Sequence, residues 1–367
     1  MIGLMRRWPY TFAVLLSVAV GVTAIVSSNV LDLPVRDPDG FLGPSYVRLP
    51  LIVLLFFAAG VIPVALKRYG IRGFARGVVK IIDEEWTWQR LLYIMVGLGS
   101  FYTCYVSYRN LKSYLPVVRE GVLFDHRMLE LDHFLMFGHN PATVLHNFLG
   151  TDITAYILAN VYVSYLMLIP LTLGAFLVWG RDLSLGAWYA TTLSLNWVLG
   201  AISYYMLPTL GPAFAQPQSF LELPDTSASA LQRSLFRAGA GFKEDPSAGN
   251  IYGIAGFASL HVSVVLAACL FFSRVGLSPL IRWSSWVYLA LVVLATIYFG
   301  WHYIADDIAG AAIGWASVSL GAWASGNRGR RRRHSKGDHT PEETLTILPD
   351  DVQPATAGAS ETASSTA

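Results

Sequence analysis

Charged side chains are what this chain has least of. Asp, Glu, Lys and Arg make up 14% of its 367 residues, where a soluble domain carries about a quarter. That shortage excludes an ordinary water-soluble globule of this length. Cysteine is nearly missing as well: Cys104 and Cys269 are the two present, and both fall inside apolar runs. A disulfide framework is therefore not expected, and small buried hydrophobes are the preferred reading of both. The net charge is only +2, which gives no ground for a nucleic-acid partner.

What is present in quantity is apolar and aromatic. Hydrophobic residues reach 54%, with 11 Trp and 18 Tyr. Low charge combined with many Trp and Tyr is the composition of a polytopic membrane protein whose rings sit at the two interfaces. Apolar runs of spanning length occur at 10–26, 46–66, 91–108, 153–179, 183–207, 258–272, 283–299 and 304–323. The expected fold is all-α, a membrane helical bundle of about eight spans. The first run also has the form of a cleaved signal peptide, with Val22-Thr23-Ala24 as the cleavage site. An uncleaved helix is preferred, because no mature soluble domain follows it.

The cations are unevenly placed. Lys67, Arg68, Arg72, Arg76, Lys80 and Arg90 crowd one short loop, which reads as a cytoplasmic, solvated anchor under the positive-inside rule. Arg181, Arg274, Arg282 and the run Arg328–Arg333 fall on the same side once eight spans are counted. Both termini are then cytoplasmic, and the segments 110–150 and 208–256 face the other way. The expected location is the plasma membrane. Three regions are expected: a two-helix membrane region at 1–90, a catalytic membrane domain at 91–325, and a tail at 326–367 too poor in apolar residues to fold. Segment 208–256 is the longest inter-helix loop, and such loops tend to be lids or binding elements.

Two short stretches carry chemistry. Phe257-Ala258-Ser259-Leu260-His261 and Gly300-Trp301-His302-Tyr303-Ile304-Ala305-Asp306 each open an apolar run and each put a histidine at a helix mouth. An ionisable group at that depth is costly and is kept for function more often than for packing. His302 and Asp306 are four residues apart, one turn apart on one helical face. The carboxylate can take the proton of one imidazole nitrogen and leave the other as a nucleophile, while His261 supplies an acid. The charge rule also places both motifs at the same membrane face, at the level of outer-leaflet headgroups. Both motif helices begin there, so their positive dipole ends point at a bound anion.

The pair Ser-Leu-His and His-Tyr-x-x-Asp resembles the signature of the type 2 phosphatidic acid phosphatase superfamily. More narrowly it resembles the inositol phosphorylceramide synthase branch, whose first motif reads Phe-Pro-Ser-Leu-His. Leu207-Pro208-Thr209-Leu210-Gly211-Pro212 and Leu131-Asp132-His133-Phe134-Leu135-Met136-Phe137-Gly138 also resemble blocks of that branch. The likeness runs over roughly residues 90 to 325. Ala258 stands where the branch has proline, and Thr296 where the wider superfamily has arginine. The resemblance implies a metal-independent phosphoryl-transfer enzyme with no cofactor. His302 would attack phosphorus to give a phosphohistidine, Asp306 would hold its Nδ1–H, and His261 would protonate the leaving oxygen.

Substrate and acceptor stay open at this point. A phospholipid headgroup transferred by an inositolphosphotransferase-like enzyme, a lipid or polyprenyl (pyro)phosphate hydrolysed by a phosphatase, and a non-enzymatic lipid transporter or scaffold are the readings. Arg109 and Lys112 are the first candidates to bind phosphate, followed by Lys243, Arg233 and Arg237. Ser259 is read either as a phosphate ligand or as a helix cap. Asp307 ranks below Asp306 because five residues turn it off the His302 face, and Trp301 and Tyr303 are read as interface anchors. His126, His133, His139 and His146, with Asp125, Glu130 and Asp132, have residue types that suit zinc. Their spacings match no ligand motif, so an interfacial or re-entrant amphipathic segment is preferred, and no metal is expected.

Overall fold

The computed structural model describes residues 8–37, 45–180, 182–245 and 256–328. In chain order the helices are α1 (Thr11–Leu31), α2 (Ser45–Tyr69), α3 (Phe74–Glu85), α4 (Trp88–Val118), α5 (Asp125–Leu135), α6 (Pro141–Leu149), α7 (Ile153–Leu173), α8 (Leu183–Met206), α9 (Pro212–Ala215), α10 (Ser227–Glu244), α11 (Leu260–Val275), α12 (Pro279–Tyr298) and α13 (Ile304–Ala324). A π-helical turn, Gly174–Trp179, prolongs α7 just beyond Pro170. No strand occurs among the described residues. The protein is an all-α polytopic membrane protein.

All eight apolar runs are helices. Five are long and apolar enough to cross a membrane: α1, α2 from Leu51, α4, α7 with its π turn, and α12. Of the other three, α11 is short at 16 residues, whereas α8 and α13 are long enough but less apolar. The reason is where they sit. Helix α8 packs against α1, α4, α11, α13 and the π turn, and it buries Thr191, Thr192, Ser194 and Asn196. A helix enclosed by protein has no need of a lipid-like surface.

Local signals set the ends. Asp182 caps α8 by accepting from the amides of Ser184 (2.9 Å) and Leu185 (3.2 Å). Ser278 followed by Pro279 starts α12, and Gly276, in a left-handed conformation that favours glycine, ends α11. Helices α11 and α13 approach almost backbone to backbone. A Cβ on Gly310 would come within 2.2 Å of the Ser259 carbonyl, and one on Gly314 within 2.3 Å of the Ser263 carbonyl. Small residues at a helix crossing are the means of tight packing where lipid offers no hydrophobic drive.

Three expectations need correction. The third span does not end at Tyr108: α4 runs on to Val118, and its last turns bury Tyr108, Leu111, Lys112 and Leu115 against neighbouring helices. Arg90 is not a solvated anchor. It is 6% exposed, its guanidinium donates to the carbonyls of Glu85 (2.7 Å) and Val178 (2.8 Å), and it lies 4.4 Å over the Trp86 ring. Segment 208–256 is not an irregular loop, because its described part holds α9, a 3₁₀ turn at Pro217–Phe220, and the 18-residue α10. A reciprocal Thr226–Ser229 capping box, which serine spacing hid from the sequence reading, starts α10. Residues 246–255, Arg181 and the tail from 329 lie outside the described residues.

Candidate functional site

The two motifs meet. Ser259 caps α11, its hydroxyl accepting from the Val262 amide at 3.4 Å, and this places His261 in the first turn. Its own amide donates to the Asp306 carbonyl at 2.9 Å, which ties the first motif directly to the second. Ser259 is fully buried, so the structure gives it the capping role. His302 sits one residue before Tyr303, the N-cap of α13. The ring centroids of His261 and His302 are 5.8 Å apart. His261 is stacked on Tyr162 at 4.4 Å and packed against Tyr165 at 4.3 Å.

His302 Nδ1 lies 3.4 Å from Asp306 Oδ2, close enough for an ion pair, but without hydrogen-bond geometry. That oxygen accepts instead from the Tyr303 amide at 3.0 Å, so Asp306 closes the first turn of α13 as a capping-box residue. Asp307 is buried too, with Oδ2 accepting from the Thr296 hydroxyl at 2.8 Å. Thr296, standing where the wider superfamily has arginine, also accepts from the amides of Trp301 (2.9 Å) and His302 (3.4 Å) through its carbonyl.

A cavity of about 590 Å³ opens on this pair. Its walls include His261, His302, Arg109, Lys112, Tyr204 and Trp301. Lys112 is 7% exposed, its ammonium lies 5.2 Å from the Tyr204 ring centre, and no carboxylate pairs with it among the described residues. Keeping an unpaired charge buried is costly. Arg109 has a buried Nε without a partner. The other cations are elsewhere: Arg233 is exposed and pairs with Asp225 at 2.6 Å, and Arg237 is exposed. The Lys243 side chain lies outside the described residues.

Two carboxylates that the sequence reading left in an amphipathic segment brace the site. Asp125 Oδ1 accepts from the amides of Leu210 (2.9 Å) and Gly211 (3.0 Å) and from the Tyr303 hydroxyl (2.8 Å). Asp132 Oδ1 accepts from the Ile304 amide at 3.1 Å. Burial raises the pKa of both, that of Asp132 to about 7, with Asp306 adding repulsion at both and Asp307 at Asp132. The first amide of α13 is thus already occupied, so its dipole end is met by protein carboxylates rather than held free for an anion. The 207–212 block completes the frame. Thr209 binds the amides of Gly256 and Phe257 at 2.9 Å each, and the Ala213 amide reaches the Gly300 carbonyl at 2.8 Å. Gly211 has φ +96°, and a Cβ there would strike the Trp301 carbonyl at 2.5 Å.

Trp301 and Tyr303 are not interface anchors. Trp301 is 8% exposed and stacks on Tyr162 at 5.0 Å, and Tyr303 is fully buried. The histidines of 126–146 do not converge either. His146 is buried with Nε2 2.8 Å from the Tyr298 carbonyl, and His126 lies 3.4 Å from Glu130 on the surface. Among the described residues no group of three or more His, Cys, Asp or Glu is placed to hold a metal ion.

Comparison with known proteins bears on this arrangement directly. A family model described as the PAP2 superfamily matches residues 126–320, more than half of the chain. The chain belongs to the PAP2 superfamily. His261, His302 and Asp306 lie within the matched PAP2 region, whereas Arg109 and Lys112 precede it. A lipid A 4'-phosphatase of Porphyromonas gingivalis is 39% identical over 62 residues, 17% of this chain and 26% of that protein. The chain therefore spans about a quarter of that relative's length. No solved structure matches.

Proposed function

We propose that this PAP2 superfamily protein is an integral membrane phosphoryl-transfer enzyme acting on lipid phosphates. The observation that carries the reading is the placement of two imidazoles 5.8 Å apart on a cavity wall shared with Arg109 and Lys112. In the proposed reaction, the negative charge of Asp306, 3.4 Å from His302 Nδ1, favours the tautomer with the proton on Nδ1, so the Nε2 lone pair forms a bond to phosphorus. The phosphorus–oxygen bond to the lipid breaks, and His261 gives its proton to that oxygen. A second alcohol or water then loses its proton to His261 and displaces the phosphoryl group from His302. Arg109 and Lys112 stabilise the charge on the transferred group throughout, and no metal enters the scheme.

The reaction belongs to the region 91–325, with the site open to the extracytoplasmic leaflet of the plasma membrane. Helix α10, whose Leu231 and Leu235 line the cavity, acts as its cover. The lipid A 4'-phosphatase stretch supports water as the acceptor. The likeness to the inositol phosphorylceramide synthase branch supports a lipid alcohol, and water exclusion by α10 serves that outcome.

The test is phosphate release from phosphatidate by purified protein, with His302→Ala and His261→Ala alongside. His302→Ala is expected to abolish turnover and to prevent acid-labile labelling by ³²P-lipid phosphate. His261→Ala is expected to slow it by about 10²–10⁴-fold. Undiminished release by His302→Ala sinks the mechanism and leaves a lipid-binding or transport role. Labelled phosphatidylinositol offered with a lipid alcohol separates transfer, read as a new phospholipid, from hydrolysis.

A further inference from the structure

The two imidazoles are held in place by different means. His302 sits in a turn whose amides are fixed by the Thr296 carbonyl, and its Nδ1 lies 3.4 Å from Asp306. A histidine ring is ordinarily oriented by the hydrogen bond that one of its nitrogens makes. The His261 ring makes no hydrogen bond or ion pair among the described residues. What touches it is aromatic. The Tyr162 ring lies 23° from parallel to it with centroids 4.4 Å apart, and Tyr165 leans on it at 4.3 Å and 42°.

Both tyrosines come from α7. They are three residues apart and so share one helical face, which Ala155, Leu158 and Ala159 extend as a buried stripe. At 2% and 4% exposure, Tyr162 and Tyr165 are packed too closely to swing aside. Tyr162 also stacks on a second ring, that of Trp301, 10° from parallel at 5.0 Å, and Phe214 packs edge-on against Trp301 at 6.3 Å. Trp301 directly precedes His302. The stacked rings His261, Tyr162 and Trp301 therefore link the first imidazole to the backbone that carries the second. An aromatic pair favours its arrangement by a factor of about 2 to 13 beyond the area it buries. Tyr162 makes two such contacts, so its loss frees His261 most.

We propose that Tyr162 is a positioning residue for phosphoryl transfer, its ring stacked on His261 and Trp301 so that His261 is aimed at the leaving oxygen. The inference rests on the acid role given to His261 above. In that step the phosphorus–oxygen bond breaks, its electron pair stays on the oxygen, and the His261 proton joins it. Tyr162 takes no part in the bond making, and Tyr165 completes the seat.

The experiment uses two phosphate monoesters whose leaving groups differ in their need for that proton. Dodecyl phosphate releases an alkoxide, which must be protonated, whereas 4-nitrophenyl phosphate releases a stable phenolate. For both, kcat/KM, which covers the steps through departure of the leaving group, is measured in non-ionic detergent. The proteins are wild type, His261→Ala, Tyr162→Leu and Tyr162→Phe, and the ratio between substrates is independent of how much of each variant is folded. His261→Ala is expected to lower the dodecyl-to-nitrophenyl ratio by about 10²-fold or more. Tyr162→Leu is expected to lower it roughly tenfold, and Tyr162→Phe, which keeps the ring, by less than about twofold. An equal fall for both substrates in Tyr162→Leu, or the same ratio loss in Tyr162→Phe, overturns the proposal. An unchanged ratio in His261→Ala removes the acid role itself, and the proposal falls with it. The stack is read apart from catalysis by NMR of ¹³C-histidine-labelled protein in detergent. The His261 ring-proton signal, assigned by its loss in His261→Ala, is expected to move downfield in Tyr162→Leu and to stay in Tyr162→Phe. A signal unmoved in Tyr162→Leu refutes the seat while leaving the histidine chemistry standing.

Discussion

Lys112 is the most demanding single residue in the structure. It is held among Tyr108, Tyr204 and the cavity, with no carboxylate paired with it among the described residues. In the proposed reaction a bound phosphoryl group is its partner, and a hydrogen bond to a charged group contributes about 1.5–3 kcal/mol. Lys112→Met is therefore expected to raise KM for a lipid phosphate roughly ten- to hundredfold, read from initial rates against substrate concentration. Asp132 makes the opposite demand. Its pKa is pushed up to about 7 by burial and by Asp306 and Asp307. Its proton is bound more tightly folded than unfolded, so its contribution to stability is full below about pH 4. It is lost as pH rises toward 7. Asp132→Asn keeps an oxygen for the Ile304 amide and removes the titration. Thermal unfolding of that variant between pH 4 and 8 is expected to be flatter than that of wild type, and an unchanged slope refutes the assignment. His261, His302 and Asp306 were legible in the sequence because each is a costly group at the start of an apolar run. Asp125 and Asp132 were not, because their partners lie 172 to 178 residues away for Ile304 and Tyr303. Nothing local distinguishes such carboxylates from the polar face of an interfacial helix.

At the scale of elements, the distance between the histidines is set by how closely α11 and α13 pack. Gly310 and Gly314 face the Ser259 and Ser263 carbonyls with no room for a methyl group, and Ser259 is the cap that aims His261. Gly310→Ala must push the two helices apart at the site itself. It is expected to lower stability by about 1–3 kcal/mol, the usual result of overpacking, and to reduce phosphate release beyond what the lost fold accounts for. Gly321, farther down α13, abuts Thr192 and Trp188. Gly321→Ala is expected to cost similar stability while sparing turnover of the folded fraction, and unfolding curves with activity per folded molecule compare the two. The eight apolar runs were readable as helices because apolar length is a local property. The extension of α4 was missed because a charge at the end of a run is read as its exit from lipid, and burial of Lys112 by neighbouring helices is a tertiary fact. Helix α10 was missed because Gly, Ala and Ser dominate it, and its Thr226–Ser229 box is weaker in sequence than one with glutamate.

At the scale of the whole molecule, the arrangement has two unlike ends. One holds His261, His302 and the carboxylate braces, with α5, α6 and α10 around them, and the other holds the cationic α3 and the end of α2. Lys67, Arg68, Arg72, Arg76 and Lys80 gather there, and Arg68 pairs with Glu85 at 2.7 Å across the turn between the helices. The positive-inside rule predicts that this basic end stays in the cytoplasm, and a lipid reaching the histidines is then expected to come from the other leaflet. The two native cysteines, Cys104 and Cys269, are both buried, which leaves the surface free for introduced thiols. Arg237→Cys on the exposed face of α10 and Arg76→Cys on α3 mark opposite ends, and both parent side chains are exposed. In intact cells a membrane-impermeant maleimide is expected to label the α10 cysteine and to reach the α3 cysteine only after permeabilisation. The reverse pattern would turn the site toward the cytoplasm, and the substrate would then be drawn from the inner leaflet. Labelling of both thiols in intact cells would mean that the basic helix does not hold its side, and the charge argument for orientation would fail.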